Sequence, residues 1–173
     1  PTTPEDVLIE LGIEELPPDD LDTAIAQLKV AAPKLFDDLR LSHEGVEIYG
    51  TPRRLAVIAR QVIPRQLDLE RIDKGPAADR AFDAAGKPTK AAEGFARSRG
   101  LTVDQLRVEE TDGGKYVMAT VHVPGRSAIE VLSEKLPEFV AGIKFVKSMR
   151  WNASGVSFSR PIRWLTALYD HHG

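Results

Sequence analysis

The feature that most constrains this chain is a recurring pattern of β-branched segments that meet across turn-length connectors. Val108-Glu109-Glu110-Thr111 and residues 115–123 are separated by Asp112-Gly113-Gly114, the clearest hairpin in the sequence. Val46-Glu47-Ile48-Tyr49 and residues 54–62 are separated by Gly50-Thr51-Pro52-Arg53, a tight turn or bulge, and are expected to be antiparallel neighbours. Val156-Ser157-Phe158 and residues 162–168 flank Ser159-Arg160-Pro161 and are expected to pair across it. Val7-Leu8-Ile9-Glu10-Leu11 reads as a further strand that ends at Gly12.

Helical patterns fall between these segments. Pro17-Pro18-Asp19-Asp20 opens a helix, because proline suits the first turn and acidic residues favour its positive end. Leu21, Ile25, Leu28, Ala32, Leu35 and Leu39 form one apolar stripe, with Pro33 predicting a kink or break near Ala32 and Gly45 closing the helical region. Residues 77–84 and 89–99 read as short helices, the second capped by Thr89 and stopped by Gly100. A further turn is expected over 101–106, and a helix over 128–141 after Ser127, with Pro137 near its end. Residues 64–76 read as a polar connector. Together these predict an α+β fold, with antiparallel hairpins or a mixed sheet and intervening helices. The expected division is an α+β unit at 1–66, a helical connector or insert at 67–106, and a hairpin-helix-strand unit at 107–173.

The 42% hydrophobic and 28% charged fractions are those of an ordinary globular chain rather than a disordered one. No apolar run approaches the ~20 residues of a membrane span. The N-terminus shows neither a basic region nor an apolar one of the kind a signal peptide carries. The absence of cysteine excludes disulfide staples and thiol chemistry and permits a cytoplasmic address. The net charge of −3 conceals an asymmetry. Residues 1–49 sum to −9, 50–101 to +5, 102–143 to −3 and 144–164 to +5. The two basic blocks are either nucleic-acid contacts or solvated faces.

No motif has the spacing of a metal site, a phosphate loop or a nucleophile triad. Glu14-Glu15 is a carboxylate pair, but sequence neighbours point apart, and its position suits the dipole of the helix that follows. Asp170-His171-His172 contains competent metal ligands, yet the additional acidic ligands of a two-metal site are missing upstream, so no metal is expected. His43 and His122 read as surface or strand residues. Gly94 within a helical pattern marks close approach of another backbone, by helix packing or by RNA. Arg53-Arg54, Arg150-Trp151 and Arg163-Trp164 combine guanidinium groups, suited to phosphate, with indoles that stack on bases or anchor a core. The alternative for this set is that Trp151 and Trp164 anchor the core or an interface while the arginines pair with the acidic N-terminal region.

Five motifs carry a family resemblance. They are Leu11-Gly12-Ile13-Glu14-Glu15-Leu16-Pro17-Pro18, Gly50-Thr51-Pro52-Arg53-Arg54-Leu55, Pro88-Thr89-Lys90-Ala91-Ala92-Glu93-Gly94-Phe95-Ala96-Arg97, Lys147-Ser148-Met149-Arg150-Trp151 and Arg160-Pro161-Ile162-Arg163-Trp164-Leu165. In order and spacing they resemble the N-terminal part of the β chain of bacterial glycyl-tRNA synthetase. Lys74-Gly75-Pro76, Ala81-Phe82-Asp83 and Glu109-Glu110-Thr111 extend the likeness, and Ile13 departs from it where the family commonly has Thr.

The resemblance implies a cytoplasmic heterotetramer of two α and two β chains that joins glycine to its tRNA at the expense of ATP. ATP and magnesium are expected at the α chain, with no cofactor on this segment. The implied partners are the glycyl-tRNA synthetase α chain, tRNA(Gly) and, indirectly, the second β chain, with no membrane. Family β chains are longer, so this reads as an N-terminal fragment without the anticodon-binding part. No catalytic residue transfers to it, and it is expected to be inactive alone. The residues expected to contact tRNA phosphates are Arg53, Arg54, Lys74, Lys90, Arg97, Lys147, Arg150, Arg160 and Arg163. The competing expectation is a purely structural subunit interface that touches no RNA.

Overall fold

The structure, a computed structural model, describes residues 1–150 and 157–169. It divides into one unit of residues 1–67 with 125–173 and a second of residues 68–124. The hairpin at 107–123 therefore belongs with the segment before it, not with the C-terminal elements.

The first unit is built on a four-stranded antiparallel sheet in the order β2-β3-β1-β9. Its strands are β1 (Glu5–Ile13), β2 (Gly45–Thr51), β3 (Arg54–Val62) and β9 (Ile162–Tyr169). Alternation places Val7, Ile9, Leu11, Leu55, Val57 and Ala59 on one face, all buried. Two helices, α1 (Pro18–Asp38) and α4 (Ala128–Ala141), complete that core through Leu28, Ala32, Phe36, Leu132 and Leu136. Pro18 stands in the first turn of α1, and Asp19 and Asp20 follow it there. The helix runs through Pro33 as one element. Burial of Leu28, Ala32 and Phe36 on both sides of the proline outweighs the hydrogen bond it removes. Gly45 begins β2 rather than ending a helix.

The β2–β3 hairpin forms as expected, with Thr51 opposite Arg54 across Pro52-Arg53. Of the expected pairing of 156–158 with 162–168, Val156 lies outside the described residues, and Ser157 and Phe158 do not pair with that strand. Pro161 O accepts a hydrogen bond from Glu14 N at 3.0 Å, and β9 then runs along β1 instead. The short strand β8 (Ser157–Phe158) pairs with β7 (Met149–Arg150). At the bulge between Glu5 and Val7, Gln61 takes a left-handed φ of 50°. The Asp6 carboxylate satisfies the Gln61 N–H at 3.0 Å.

The second unit holds a three-stranded antiparallel sheet in the order β4-β6-β5. Its strands are β4 (Leu69–Ala77), β5 (Leu106–Thr111) and β6 (Gly114–Val123). The sequence of β4 reads as a polar connector because this small sheet leaves Glu70, Arg71 and Ile72 exposed on both faces. Its backbone nevertheless supplies the third strand that an isolated hairpin needs. Helices α2 (Ala78–Ala81) and α3 (Lys90–Ser98) cover a small core of Ala81, Ala92 and Val117. Phe95 lies over Gly75, where an added Cβ would come within 2.5 Å of the ring. A Cβ at Gly94 would meet open space, so the close packing expected there is not found among the described residues. The Thr89 hydroxyl donates to Arg80 O at 2.6 Å instead of capping α3.

Candidate functional site

Three of the five motifs converge at one end of the four-stranded sheet. The backbone brings them together. Ile13 N donates to Arg53 O at 2.9 Å, Leu16 N to Pro52 O at 2.7 Å, and Glu14 N to Pro161 O at 3.0 Å. The β2–β3 turn, the loop after β1 and the start of β9 are thereby tied into one surface. The Ser159 hydroxyl adds a hydrogen bond to Asp20 in the first turn of α1.

Side chains on the sheet face opposite the helices follow from the register. Gly12 sits between Arg54 on β3 and Trp164 on β9. The indole lies across the glycine, where a Cβ would stand 2.0 Å from Cδ2 and Cε2 of the ring. Trp164 Nε1 donates to Glu10 Oε1 at 3.0 Å. Arg54 Nε lies 3.5 Å from the same oxygen, and its guanidinium is 6.0 Å from the indole centroid. Trp164 remains 43% exposed, so it is a surface residue and not the core anchor weighed above. Around the corner, Arg163 Nη1 donates to Glu14 Oε1 at 2.9 Å, and Arg53 Nη2 to Glu15 Oε2 at 3.2 Å. These four side chains, with Ile13 and Trp164, line a cavity of about 500 Å³.

Each of the three arginines is matched by one carboxylate, so the cluster is close to neutral. Exposed pairs of this kind contribute little stability, about 0–1 kcal/mol each. Their consequence is positional, since they fix guanidinium groups and an indole in one arrangement.

A second charged group lies on the same sheet face. Arg60 donates to Asp6 at 2.6 Å and to Glu47 at 3.0 Å. The Gln61 backbone N–H and the Arg60 guanidinium hold Asp6 below its ordinary pKa. Arg60, and then the Tyr49 hydroxyl, do the same for Glu47. Arg60 is raised in turn.

The other basic residues expected to contact RNA lie elsewhere. Lys147, Arg150 and Arg160 are exposed in the first unit, and Lys90 and Arg97 are exposed on α3 of the second. Among the described residues none of these five makes an ion pair. Lys74, also in the second unit, places Nζ 3.5 Å from the centroid of Tyr116. Trp151 and Asp170-His171-His172 fall outside the described residues. Among the described residues no group of three or more His, Cys, Asp or Glu side chains is arranged to hold a metal. Among them, too, no helix is long and apolar enough to cross a membrane.

Glu10, Gly12 and Asp6 also belong to these groups, and their residue types in the sequence do not mark them as site residues. A glycine at the end of an apolar strand was the available signal for Gly12, but only the strand register shows which aromatic covers it.

The family described as Glycyl-tRNA synthetase beta subunit matches residues 7–173. A chloroplastic/mitochondrial glycine–tRNA ligase of Arabidopsis thaliana is 48% identical over 96% of this chain and 16% of its own length. The glycine–tRNA ligase beta subunit of Gloeothece citriformis is 43% identical over 94% of this chain and 23% of its own. That of Citrifermentans bemidjiense is 42% identical over 96% and 24%. The chain thus spans about a quarter or less of the length of these curated relatives. Such likenesses place it among the subunits of aminoacyl-tRNA synthetases. It belongs to the glycyl-tRNA synthetase β subunit family.

Proposed function

We propose that this chain is a non-catalytic assembly region of a glycine–tRNA ligase β subunit, whose ion-paired sheet end docks a protein partner, the α chain. The observation that carries this reading is the one-to-one matching of Arg53, Arg54 and Arg163 with Glu15, Glu10 and Glu14. A phosphate approaching these guanidiniums would meet a carboxylate beside each one. Counterion release, the main source of affinity for nucleic acid, requires uncompensated positive charge. A protein partner has no such requirement. It gains from a fixed half-exposed indole flanked by arginines, the residue types that anchor interfaces. In this reading the enzyme is a cytoplasmic tetramer of two α and two β chains. ATP and magnesium belong to the α chain, and this segment breaks no bonds.

The test is co-purification of the α chain with this region. Trp164→Ala and Arg163→Glu should each weaken retention at least tenfold. The swap Arg163→Glu with Glu14→Arg should restore part of it. Retention indifferent to all three would refute the docking face.

A second reading is favoured by a separate observation: among the described residues, five of the cations expected to contact RNA are exposed and have no carboxylate partner. Lys90, Arg97, Lys147, Arg150 and Arg160 are the residues suited to tRNA phosphates. Reversing three of them should weaken tRNA binding and reduce the log–log salt slope by about 2–3, at roughly 0.7–0.9 for each contact. An unchanged slope would remove RNA contact from the function.

A further inference from the structure

The core of the first unit is open at one edge. Strand β9 pairs with β1 on one side, and among the described residues no strand lies beyond it. Its core-side residue Leu165 stands opposite fully buried Leu11, yet Leu165 is 45% exposed. On α4, Ile129 is 41% exposed although its neighbour Leu132 is buried. Ile129, Leu132, Ser133 and Leu136 face Ala167 and Leu168 across a cleft of about 150 Å³. A strand of eight residues with the sequence Ile-Arg-Trp-Leu-Thr-Ala-Leu-Tyr is long and apolar for an unpaired edge. It contains no lysine, proline or inward-pointing charge, the devices that normally protect such an edge.

We infer that β9 is completed by a fifth strand from the same polypeptide, drawn from sequence outside these residues. The added strand pairs antiparallel or parallel along residues 162–168. Its alternate side chains are apolar where they cover Leu165, Ala167 and Ile129. The exposed residues adjoin the main hydrophobic core, since its members Val7, Leu132, Leu136 and Tyr169 line the same cleft. Such a core has to be closed as the chain folds, which a tethered strand does at high effective concentration. The relatives supply the length, since three quarters or more of each lies outside the matched part. This inference rests on family membership and not on the docking role proposed above.

Backbone amide exchange tests it. In an antiparallel strand alternate amides face away from the neighbour on one side. In the 173-residue chain the outward amides of residues 162–168 should exchange fast. In the full-length Gloeothece β subunit, purified without an α chain, the matching amides should exchange roughly 100-fold more slowly or better. As a second measurement, Leu165→Glu should leave the 173-residue chain folded. The matching change in the full-length subunit should restore fast exchange along the strand. Fast exchange in the full-length subunit overturns the inference. Protection that appears only when an α chain is added overturns it in favour of a separate partner. Concentration-dependent protection of the 173-residue chain overturns it in favour of a second copy.

Discussion

Replacing Gly12 with alanine probes the junction of the converging motifs directly. Gly12 has no left-handed φ to preserve, so the substitution is opposed by space alone. The new Cβ would lie 2.0 Å from Cδ2 and Cε2 of Trp164 and 2.3 Å from Cε3, against a normal contact of about 3.5–4.0 Å. The indole has to lift by about 1.5–2 Å. From 3.0 Å, that motion carries Nε1 out of hydrogen-bonding range of Glu10 and ends the approach of Arg54 to the ring. The hydrogen bond is worth about 1 kcal/mol and the exposed cation–π contact about 0.5–1 kcal/mol. Alanine in place of glycine within a strand returns about 0.5–1 kcal/mol. The net cost of Gly12→Ala is therefore about 1 kcal/mol, beyond which any strain from incomplete movement adds.

The same substitution in a Trp164→Ala background meets no ring. It should be neutral or stabilising by up to about 1 kcal/mol. The two changes then couple by about 1–2 kcal/mol. Urea unfolding followed by circular dichroism gives all four stabilities, with the midpoint shifting and the slope unchanged. A coupling below about 0.5 kcal/mol would show that the indole does not rest on Gly12 and would refute the account of how these motifs meet.

Four further outcomes follow from other parts of the fold. Gln61→Gly should stabilise the chain by about 1 kcal/mol in the same assay, because it relieves a left-handed backbone at an exposed side chain. Unchanged stability would show that the left-handed backbone at residue 61 carries no such strain, since the Asp6 contact to its N–H is kept by glycine. Residues 68–124 are inserted at a neck where Gln66 N donates to Arg126 O at 2.9 Å and the Gln66 side chain donates to Leu39 O at 2.8 Å. Replacing the insert by a short Gly-Ser linker should leave a cooperatively folding unit. Gly125→Ala should cost about 3 kcal/mol, since its Cβ would stand 1.8 Å from the Gln66 carbonyl oxygen. A linker variant without a cooperative transition would contradict the division. The last outcome concerns acid. Asp6 and Glu47 have lower pKa values folded than unfolded, so the stability they confer is fully present above about pH 5, beyond the ordinary carboxylate range. It is lost as pH falls through their depressed folded values. Arg60→Gln should therefore flatten the acid limb of the stability curve. An unchanged limb would show that the network does not persist in solution.

Much of this architecture was legible from local pattern. The β2–β3 and β5–β6 hairpins announced themselves through Pro52-Arg53 and Asp112-Gly113, because turn chemistry is local. Helix α1 did so through its proline-acidic start and the stripe at Leu28 and Ala32. What escaped was set by tertiary partners. Strand β4 looks polar because its sheet is thinly covered. The partner of β9 is β1, more than 140 residues earlier in the chain, and no local spacing encodes that. The site divides in the same way. Arg53, Arg54, Arg163 and Trp164 were identifiable as unusual residue pairs, and the structure does bring them together. Their neutralisation by Glu10, Glu14 and Glu15 depends on register, and it changes the partner chemistry they suit. Gly94 stands out by its position, and among the described residues a Cβ there would meet open space.

The most direct measurement is the chemical reactivity of the Trp164 indole in the assembled enzyme, followed by oxidative footprinting of the free β subunit, the α–β complex and the complex with tRNA. Addition of the α chain should shield Trp164, and tRNA should add nothing further at that residue. Shielding by tRNA alone, with no effect of the α chain, would mean that the paired arginines serve nucleic acid after all and would contradict the docking account.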